Sequence, residues 1–346
     1  MNHRRRLALL LLAVAGCRAA PAIVAEPWQP IPTPTTASLR GLAAVDARVA
    51  WVGGTNGTLL RTDDGGASWQ DVCPAGAADC DFRDLHAFSA EVALAMVAGQ
   101  PARVYRTEDG GASWVVVHED PRPAAFLDAI AFAGDDGVLF GDAIDGAFEV
   151  WQSRDAGRTW HAVAPARLPP PQPDEAAFAA SGTCVALGHG PRAPQALVVT
   201  GGGAVRCLGV SLGDEAPRAV PLPLAHGAAS RGAFSLALRG ARAVAVGGDY
   251  RDPQAPVGTA ARSDDGGATW SAADAGGYRS AVVWLDDRRL LAVGSHGASD
   301  SVDGGRSWRP CGRTGFHSLA VGGDGSVWAC GSDGRVARWR DSLRTW

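Results

Sequence analysis

Two aspartates at equivalent places in the chain are the first residues that could do acid–base chemistry. Asp84 and Asp128 each stand third in a short segment, FRDL at residues 82–85 and FLDA at residues 126–129. A glycosidase needs two carboxyl groups flanking the bond that it breaks, roughly 5–10 Å apart. These residues are therefore the candidate catalytic pair for glycan hydrolysis. The alternative is that each caps a strand or lies in solvent.

A second set of aspartates recurs in an eight-residue frame, Ser/Thr-x-Asp-x-Gly-x-Ser/Thr-Trp, which is known as the Asp box. The frame occurs at residues 62–69, 107–114, 153–160, 263–270 and 301–308, and its aspartates are Asp64, Asp109, Asp155, Asp265 and Asp303. In a tight turn, aspartate and hydroxyl oxygens accept hydrogen bonds from main-chain N–H groups, and glycine supplies a positive φ. We interpret these aspartates as structural braces, because the frame occurs in propellers of unrelated activities.

Five copies of one frame make the chain a repeat protein, so the repeat decides how the candidate residues are positioned. Each unit reads as four short strands, with a hairpin signal at Asn56-Gly57 in the first unit. Segments resembling FRDL give seven units, which begin near residues 38, 82, 126, 176, 233, 278 and 316. The pattern predicts an all-β, seven-bladed β-propeller of four-stranded antiparallel blades. In the fourth unit, we interpret residues 200–203 as a worn copy of the box.

The two ends of the propeller are predicted to close the ring together. Residues 338–346 match residues 61–69, so the chain stops where an outer strand is due. Residues 28–31 (WQPI) resemble residues 69–72 (WQDV), which begin the outer strand of the first unit. We therefore expect the N-terminal segment to supply the last strand, which removes open sheet edges.

The first 17 residues resemble a bacterial lipoprotein signal. Residues 2–6 (NHRRR) form a basic n-region, residues 7–14 form a short apolar core, and residues 14–17 (VAGC) resemble a lipobox ending at Cys17. The apolar run is too short to span a membrane. We expect a signal at residues 1–17, a tether at 18–25 and the propeller at 26–346. Because Arg18 follows Cys17, the usual sorting rule predicts a lipid anchor in the outer membrane, facing the periplasm. The alternative is an ordinary cleaved signal.

Six further cysteines and the charge of the chain bear on its chemistry. An even number of cysteines in an exported protein indicates disulfides. Pairing in sequence order is the hypothesis, and the candidates are Cys73 with Cys80, Cys184 with Cys207, and Cys311 with Cys330. Their spacing lacks a zinc pattern with matching His ligands, and the sequence has no cofactor motif, so we predict neither a metal nor a cofactor. A net charge of −4 gives no electrostatic basis for binding nucleic acid.

Together, the boxes, the seven units, the inner-strand signature and the exported N-terminus resemble the photosystem II stability/assembly factor family and its non-photosynthetic bacterial relatives. The resemblance covers roughly residues 26–346. It implies a non-enzymatic propeller that holds a partner protein during assembly, with an arginine-rich patch on one face. Arg40, Arg83, Arg279 and His317 stand at the variable position of the inner-strand signature and would form such a patch. Three blades lack a basic residue at this position.

The function that we expect is a non-enzymatic scaffold of the cell envelope that binds a protein partner. The open alternative is a propeller that binds or hydrolyses glycans. A sialidase would need a tyrosine nucleophile, for which only Tyr105, Tyr250 and Tyr278 are available, and the expected N-terminal Arg-Ile-Pro motif is absent. The working surface should be the face opposite the boxes, where the loops between second and third strands lie.

Overall fold

The computed structural model describes residues 26–189, 194–213, 216–256 and 258–340. Short runs of aliphatic and aromatic residues, separated by Gly- and Asp-rich turns, favour strands over helices. In these ranges the regular structure consists of strands and a single turn of 3-10 helix, Pro165–Arg167. None of the described residues belongs to a helix that is long and apolar enough to cross a membrane.

The strands form seven antiparallel sheets, the blades, which follow one another around a ring. The N-terminal strand and blades 1 and 2 consist of β1 (Trp28–Ile31), β2 (Leu39–Ala44), β3 (Ala50–Gly54), β4 (Leu59–Thr62), β5 (Gln70–Asp71), β6 (Phe82–Ala87), β7 (Ala93–Val97), β8 (Ala102–Thr107) and β9 (Val115–Asp120). Blades 3 and 4, with two short strands beside them, consist of β10 (Leu127–Ala133), β11 (Asp136–Ile144), β12 (Ala147–Ser153), β13 (His161–Ala162), β14 (Glu175–Ala176), β15 (Val185–His189), β16 (Pro194–Val199), β17 (Gly201–Gly202), β18 (Arg206–Val210) and β19 (Arg218–Pro221). Blades 5, 6 and 7 consist of β20 (Ala228–Arg239), β21 (Arg242–Asp249), β22 (Ala260–Ser263), β23 (Ser271–Ala273), β24 (Ala281–Trp284), β25 (Leu290–Gly294), β26 (Gly297–Ser301), β27 (Arg309–Gly312), β28 (Ser318–Val321), β29 (Val327–Cys330) and β30 (Val336–Trp339).

The ring closes because each inner strand packs against the inner strands of both neighbouring blades. Around the axis the inner strands are β2, β6, β10, β15, β20, β24 and β28, and β28 packs against β2 again. Side chains on both faces of the middle strands are buried between adjacent blades, and Trp51, Phe140 and Trp328 are among the largest of them. The predicted seven-bladed β-propeller is confirmed.

The N-terminal strand completes the last blade, as its likeness to the first unit predicted. β1 pairs antiparallel with β30, so that Trp28 lies opposite Trp339 and Ile31 lies opposite Val336. The strand order of blade 7 is therefore β28, β29, β30 and β1. Trp28 is only 4% exposed and packs on the rings of Phe316 and Trp339. Residues from opposite ends of the chain thus share one hydrophobic cluster.

The strands of the fourth blade do not begin where the sequence predicted. Its inner strand is β15, which begins at Val185 rather than near residue 176. The interpretation of residues 200–203 as a worn Asp box is wrong, because they follow the second strand of the blade, β16, and not the third. Successive strands run in opposite directions, so these glycines lie on the face opposite the boxes. There β17 pairs with β14 and with the extended β20, giving blade 5 a six-stranded sheet.

Each Asp box is a hydrogen-bonded turn between the third and outer strands. In the first copy, the Thr62 hydroxyl donates to Asp64 Oδ1 at 2.8 Å and accepts the Gly66 N–H at 2.9 Å. Asp64 also accepts the N–H and the hydroxyl of Ser68, at 2.9 and 2.6 Å. Gly66 has φ +86°, and a Cβ there would lie 2.3 Å from Ile31 of the neighbouring blade. The box aspartates therefore brace their own turns, which pack on the adjacent blade.

The structure contains no disulfide among the six cysteines of the described residues. Cys184 and Cys207 lie on opposite sides of Val199, whose strand separates them, so they stand two strand spacings apart. That separation, about 10 Å, exceeds the reach of a disulfide.

Cys311 and Cys330 belong to different blades, on β27 and β29, and pack in different hydrophobic clusters. Pairing in sequence order is therefore wrong for these residues as well. Cys73 and Cys80 share one loop, and a bond between them stays a prediction. Mass spectrometry of an unreduced digest would test it.

Candidate functional site

A pocket of about 360 Å³ opens where the inner strands begin, on the face opposite the Asp boxes. The residues around it come from five blades and from the segment that precedes β15, which places the pocket at the mouth of the central channel. They are Arg40, Arg83, Phe178, Ala179, Ala180, Phe234, Tyr250, Tyr278, Ser295 and His317. Three of the four basic residues of the predicted patch therefore meet at one pocket.

Arg40 and Arg83 give the pocket its positive charge. Arg40 Nη1 donates to the Ala180 carbonyl at 3.1 Å, and Arg83 Nη1 donates to the Ala179 carbonyl at 3.4 Å. Arg83 Nε also donates to Asp81 at 2.8 Å. Burial, and then repulsion from Arg83, lower the pKa of Arg40, which nevertheless stays far above neutrality as guanidinium groups do. Each group has five N–H donors, so most of them are free to bind an anionic ligand.

His317 contributes a neutral imidazole to the same pocket. Burial, with the positive charge of Arg40 as the next cause, lowers the pKa of His317 to about 4. Its Nδ1 lies 3.0 Å from the Leu39 carbonyl, which can only accept, so Nδ1 carries the proton and Nε2 is an acceptor. At neutral pH this residue therefore adds a hydrogen-bond acceptor rather than a third positive charge.

Aromatic rings form the opposite wall. Phe178 stacks on Phe234 with ring centroids 3.9 Å apart and an interplanar angle of 11°. Tyr278 and Tyr250 meet Phe234 edge-on, at 4.9 and 6.2 Å. Tyr250 is 45% exposed, which makes it one of the few large apolar side chains that the described surface presents to solvent. Cationic and aromatic walls together suit a ligand that has an anionic group beside an apolar one.

Arg279, the fourth predicted member of the patch, does not line this pocket. It is 4% exposed and donates to the carbonyl groups of Tyr278 and Gly276 and to Ser299 Oγ, at 2.8, 3.4 and 2.7 Å. Acceptors inside blade 6 thus draw its guanidinium away from the channel. The shared position in the repeat predicted the backbone location but not the direction of the side chain.

The carboxyl groups of the glycosidase hypothesis are buried below the pocket. Asp84 is 4% exposed and accepts the N–H groups of Leu85 and Ile130, both at 2.7 Å. Asp128 is completely buried, and neither of its oxygens has a hydrogen-bond partner. The Ala179 N–H lies close enough to Asp128 to favour its ionised form, but it does not form a hydrogen bond with it. Neither carboxyl lines the pocket, so the structure gives the pair no access to a glycosidic bond.

A third carboxyl, that of the half-buried Asp142, lies near Asp128, in β11 rather than in a loop. It accepts the Ala177 N–H at 3.2 Å, and burial raises its pKa to about 6. Burial also raises the pKa of Asp84 and Asp128 well above the usual range. No group of three or more His, Cys, Asp or Glu residues among those that the structure describes is arranged to hold a metal ion.

These aspartates give the stability of the fold opposite dependences on pH. Where the folded-state pKa is raised, as for Asp84, Asp128 and Asp142, the unfolded chain releases protons that the folded chain keeps. Their contribution therefore becomes less favourable as pH rises above about 4. Hydrogen bonds, first from Ser68 in the case of Asp64, lower the pKa of that box aspartate to about 2. The stability from such groups is present above about pH 4 and is lost as pH falls toward 2.

We therefore expect the thermal midpoint of unfolding to be highest near pH 4 and to fall on both sides. A calorimetric series between about pH 2 and 8 measures this dependence. Asp128→Asn should flatten the decline above pH 4, because the amide has no proton to release. A midpoint that rises steadily from pH 4 to pH 7 in the wild type would show that the buried carboxyl groups are ionised in the fold.

Comparisons with known proteins support the propeller architecture, and the sequence family that matches does so in the N-terminal half of the chain. A sequence family described as photosynthesis system II assembly factor YCF48 matches residues 20–185, somewhat less than half of the chain. Photosystem II assembly protein Ycf48 of Thermosynechococcus vestitus is 40% identical over 52 residues, which are 15% of each chain. Photosystem II assembly lipoprotein Ycf48 of Trichormus variabilis is 36% identical over 67 residues, 19% of this chain and 20% of the relative. The matched segments thus span no more than a fifth of either relative.

Solved structures share the whole ring. YCF48 bound to D1 peptide has a TM-score of 0.62 and 18% identity, and the match covers 94% of this chain and 99% of that chain. A GH74 enzyme of Niastella koreensis has a TM-score of 0.56 and 12% identity, covering 88% of this chain and 52% of the enzyme. At such identities the likeness concerns the fold. With the sequence matches, it confirms the predicted resemblance to the photosystem II assembly factor family, and the fold that the chain shares with these structures is a β-propeller.

Proposed function

We propose that this protein is a non-enzymatic scaffold that binds a segment of a partner protein in the pocket of Arg40 and Arg83. The observation that carries the proposal is the placement of two guanidinium groups opposite four aromatic rings in one concave site. A pocket of about 360 Å³ is at the small end of ligand sites, and it suits one or two side chains better than a folded surface. The complementary ligand is an extended segment with a carboxylate next to an apolar side chain.

The comparison structure supports a protein ligand. That YCF48 was solved with a D1 peptide, and a related propeller that works in the same way would also hold a peptide segment. The partner of this chain need not be D1, because the arginine pocket selects a carboxylate and an apolar group rather than a particular protein. We propose that its partner is another protein of the envelope, assembled by a bacterium that need not be photosynthetic.

The non-enzymatic part of the proposal rests on the buried carboxyl groups. A general acid must reach the leaving-group oxygen, and Asp84 and Asp128 lie beneath the pocket. Glycan binding or hydrolysis remains the competing function, since an enzyme shares the fold. Hydrolysis of envelope glycans by the purified protein that disappears in Asp84→Ala or Asp128→Ala would overturn the non-enzymatic assignment.

We further propose that the chain is exported and lipid-anchored through Cys17, facing the periplasm from the outer membrane. Cys17 and the tether at residues 18–25 lie outside the described residues. The Trichormus relative is described as a lipoprotein, which supports this proposal. We expect Cys17→Ser to move the protein from the membrane fraction to the soluble periplasmic fraction. Unchanged partition into membranes would rule out this lipid as the main anchor.

Photo-crosslinking from the two faces of the ring tests the binding proposal. A benzophenone amino acid at position 250 lies beside the pocket, whereas one at position 302 lies on the box face with similar exposure, 45% against 43% for the native side chains. In living cells, position 250 should give a discrete adduct whose partner mass spectrometry identifies, and position 302 should not. Equal adducts at both positions, or none at position 250, would overturn the proposed site.

A further inference from the structure

The segment of residues 177–182, here the floor segment, lies across the central channel directly below the pocket. It follows β14 and precedes β15, and Ala177, Ala179, Ala180 and Ser181 are all at least nine-tenths buried. Ser181 Oγ donates to the Ser280 carbonyl of blade 6 at 2.7 Å, and Ser318 Oγ of blade 7 donates to the Ser181 carbonyl at 3.0 Å.

Further contacts link the floor segment to other blades. Phe178 stacks on Phe234 of blade 5, and Ala177 donates its N–H to Asp142 of blade 3. Arg40 of blade 1 and Arg83 of blade 2 donate to its carbonyl groups. Only a segment on the axis of the ring can reach so many blades at once.

The floor segment is held from two chemically opposite sides. Carboxyl groups meet its N–H side, where Asp142 accepts from Ala177 and Asp128 lies near the Ala179 N–H. Guanidinium groups meet its carbonyl side, where Arg83 and Arg40 donate to Ala179 and Ala180. These carbonyl groups are the acceptors that keep two mutually repelling cations side by side. The orientation of both arginines therefore depends on where this backbone lies.

We infer that the floor segment is a positioning element of the binding pocket: it fixes Arg40 and Arg83 toward an anionic ligand and closes the channel beneath it. The inference rests on the proposed function and adds to it the residues that determine the shape and charge of the site. It also requires the ligand to enter from one face only. None of the floor residues carries a charge, so their effect on the anionic group of a ligand has to act through the arginines, while Phe178 also contributes its ring to the aromatic wall.

Gly182 provides a way to move the floor without touching the arginines. Its φ is +71°, and a Cβ at this position would lie 2.1 Å from Asp84 Oδ1 and 2.2 Å from Asp84 Cγ. Asp84 is buried and held by two N–H groups at 2.7 Å, so it cannot turn aside. Gly182→Ala must therefore displace the floor. Gly134→Ala is the matched control, because Gly134 has φ +64° and no atom within 4 Å of its added Cβ.

The probe is 8-anilinonaphthalene-1-sulfonate, which pairs a sulfonate with aromatic rings and whose fluorescence rises in apolar sites. We expect Gly182→Ala to weaken its binding by at least about tenfold, the worth of one charge-assisted hydrogen bond, and Gly134→Ala to leave it within about twofold. Near-ultraviolet circular dichroism confirms that both variants are folded. If Gly182→Ala does not fold, Ser318→Ala removes one tether of the floor and should weaken the probe in the same direction.

Equal affinities of folded Gly182→Ala and Gly134→Ala would overturn the positioning role and leave the pocket itself intact. Failure of the proposed function looks different. In that case the wild type would not bind the probe, or Arg40→Ala/Arg83→Ala would bind it as tightly as the wild type.

Discussion

Replacing Trp28 with Ala is expected to lower the free energy of unfolding by about 3–5 kcal/mol, the range for a large aromatic side chain removed from a core. Trp28 is 4% exposed, and its ring lies 4.6 Å from that of Phe316 and 4.9 Å from that of Trp339. The truncation leaves a cavity between these rings that the rigid blades around it cannot close.

The effect should be large also because Trp28 belongs to the strand that closes the ring. β1 is bound to blade 7 by its ladder with β30 and by the packing of Trp28 and Ile31. Loss of the anchor exposes the edge of β30, which invites association between molecules. We therefore expect aggregation during heating as well as a lower midpoint.

Denaturant unfolding measures this loss. It is followed by far-ultraviolet circular dichroism rather than by tryptophan fluorescence, because the substitution removes a tryptophan. Gln29→Ala is the control, because Gln29 lies on the same strand with its side chain exposed and keeps its pairing with Arg338. The control should change stability by no more than about 0.5 kcal/mol. Similar values for the two variants would mean that the strand adds little to closure.

The double substitution Arg40→Ala/Arg83→Ala is expected to weaken binding of the partner segment by about 100-fold or more. Each charge-assisted hydrogen bond to a carboxylate contributes about 1.5–3 kcal/mol, and about 1.4 kcal/mol is a factor of ten. The fold should survive, because both side chains are only half-buried and their protein acceptors are backbone carbonyl groups and one partly exposed aspartate. The single variants should each lose about tenfold or more.

Arg306→Ala is the matched control for the change in charge. Arg306 lies in the last Asp box, on the opposite face, and its side chain is 58% exposed. Its loss changes net charge by the same amount as one pocket substitution, without altering the pocket. A general electrostatic attraction would weaken binding in Arg306→Ala as much as in either single pocket variant, whereas a defined site would not.

The fold could be predicted from the sequence because the repeat encodes it locally. Each box contains its own hydrogen-bond acceptors and its own positive-φ glycine, so its turn forms with little help from distant residues. The closing strand was predictable for the same reason, since residues 28–31 carry the sequence of an outer strand. Where a blade has lost its box, this information is missing, and the glycines at 201–203 indicate a turn without indicating on which face it lies.

The site was only partly predictable, because side-chain direction depends on tertiary contacts. Arg40 and Arg279 occupy the same position of the repeat, yet one lines the pocket and the other is held by Ser299 inside blade 6. The floor segment gave no periodic signal at all. One residue could have suggested the segment. The inner-strand signature begins with an aromatic residue, but Phe178, the aromatic residue of the fourth unit, lies well before the inner strand, which begins at Val185.

The most direct test of whether Arg40 and Arg83 form the partner site is a binding measurement with a synthetic peptide. The peptide has the sequence of the partner segment that cross-links at position 250, and its dissociation constant is measured for each variant. We expect saturable binding to the wild type, binding to Arg306→Ala within about twofold of it, and binding to Arg40→Ala/Arg83→Ala that is weaker by about 100-fold. Equal constants for the wild type and the double variant would contradict the account.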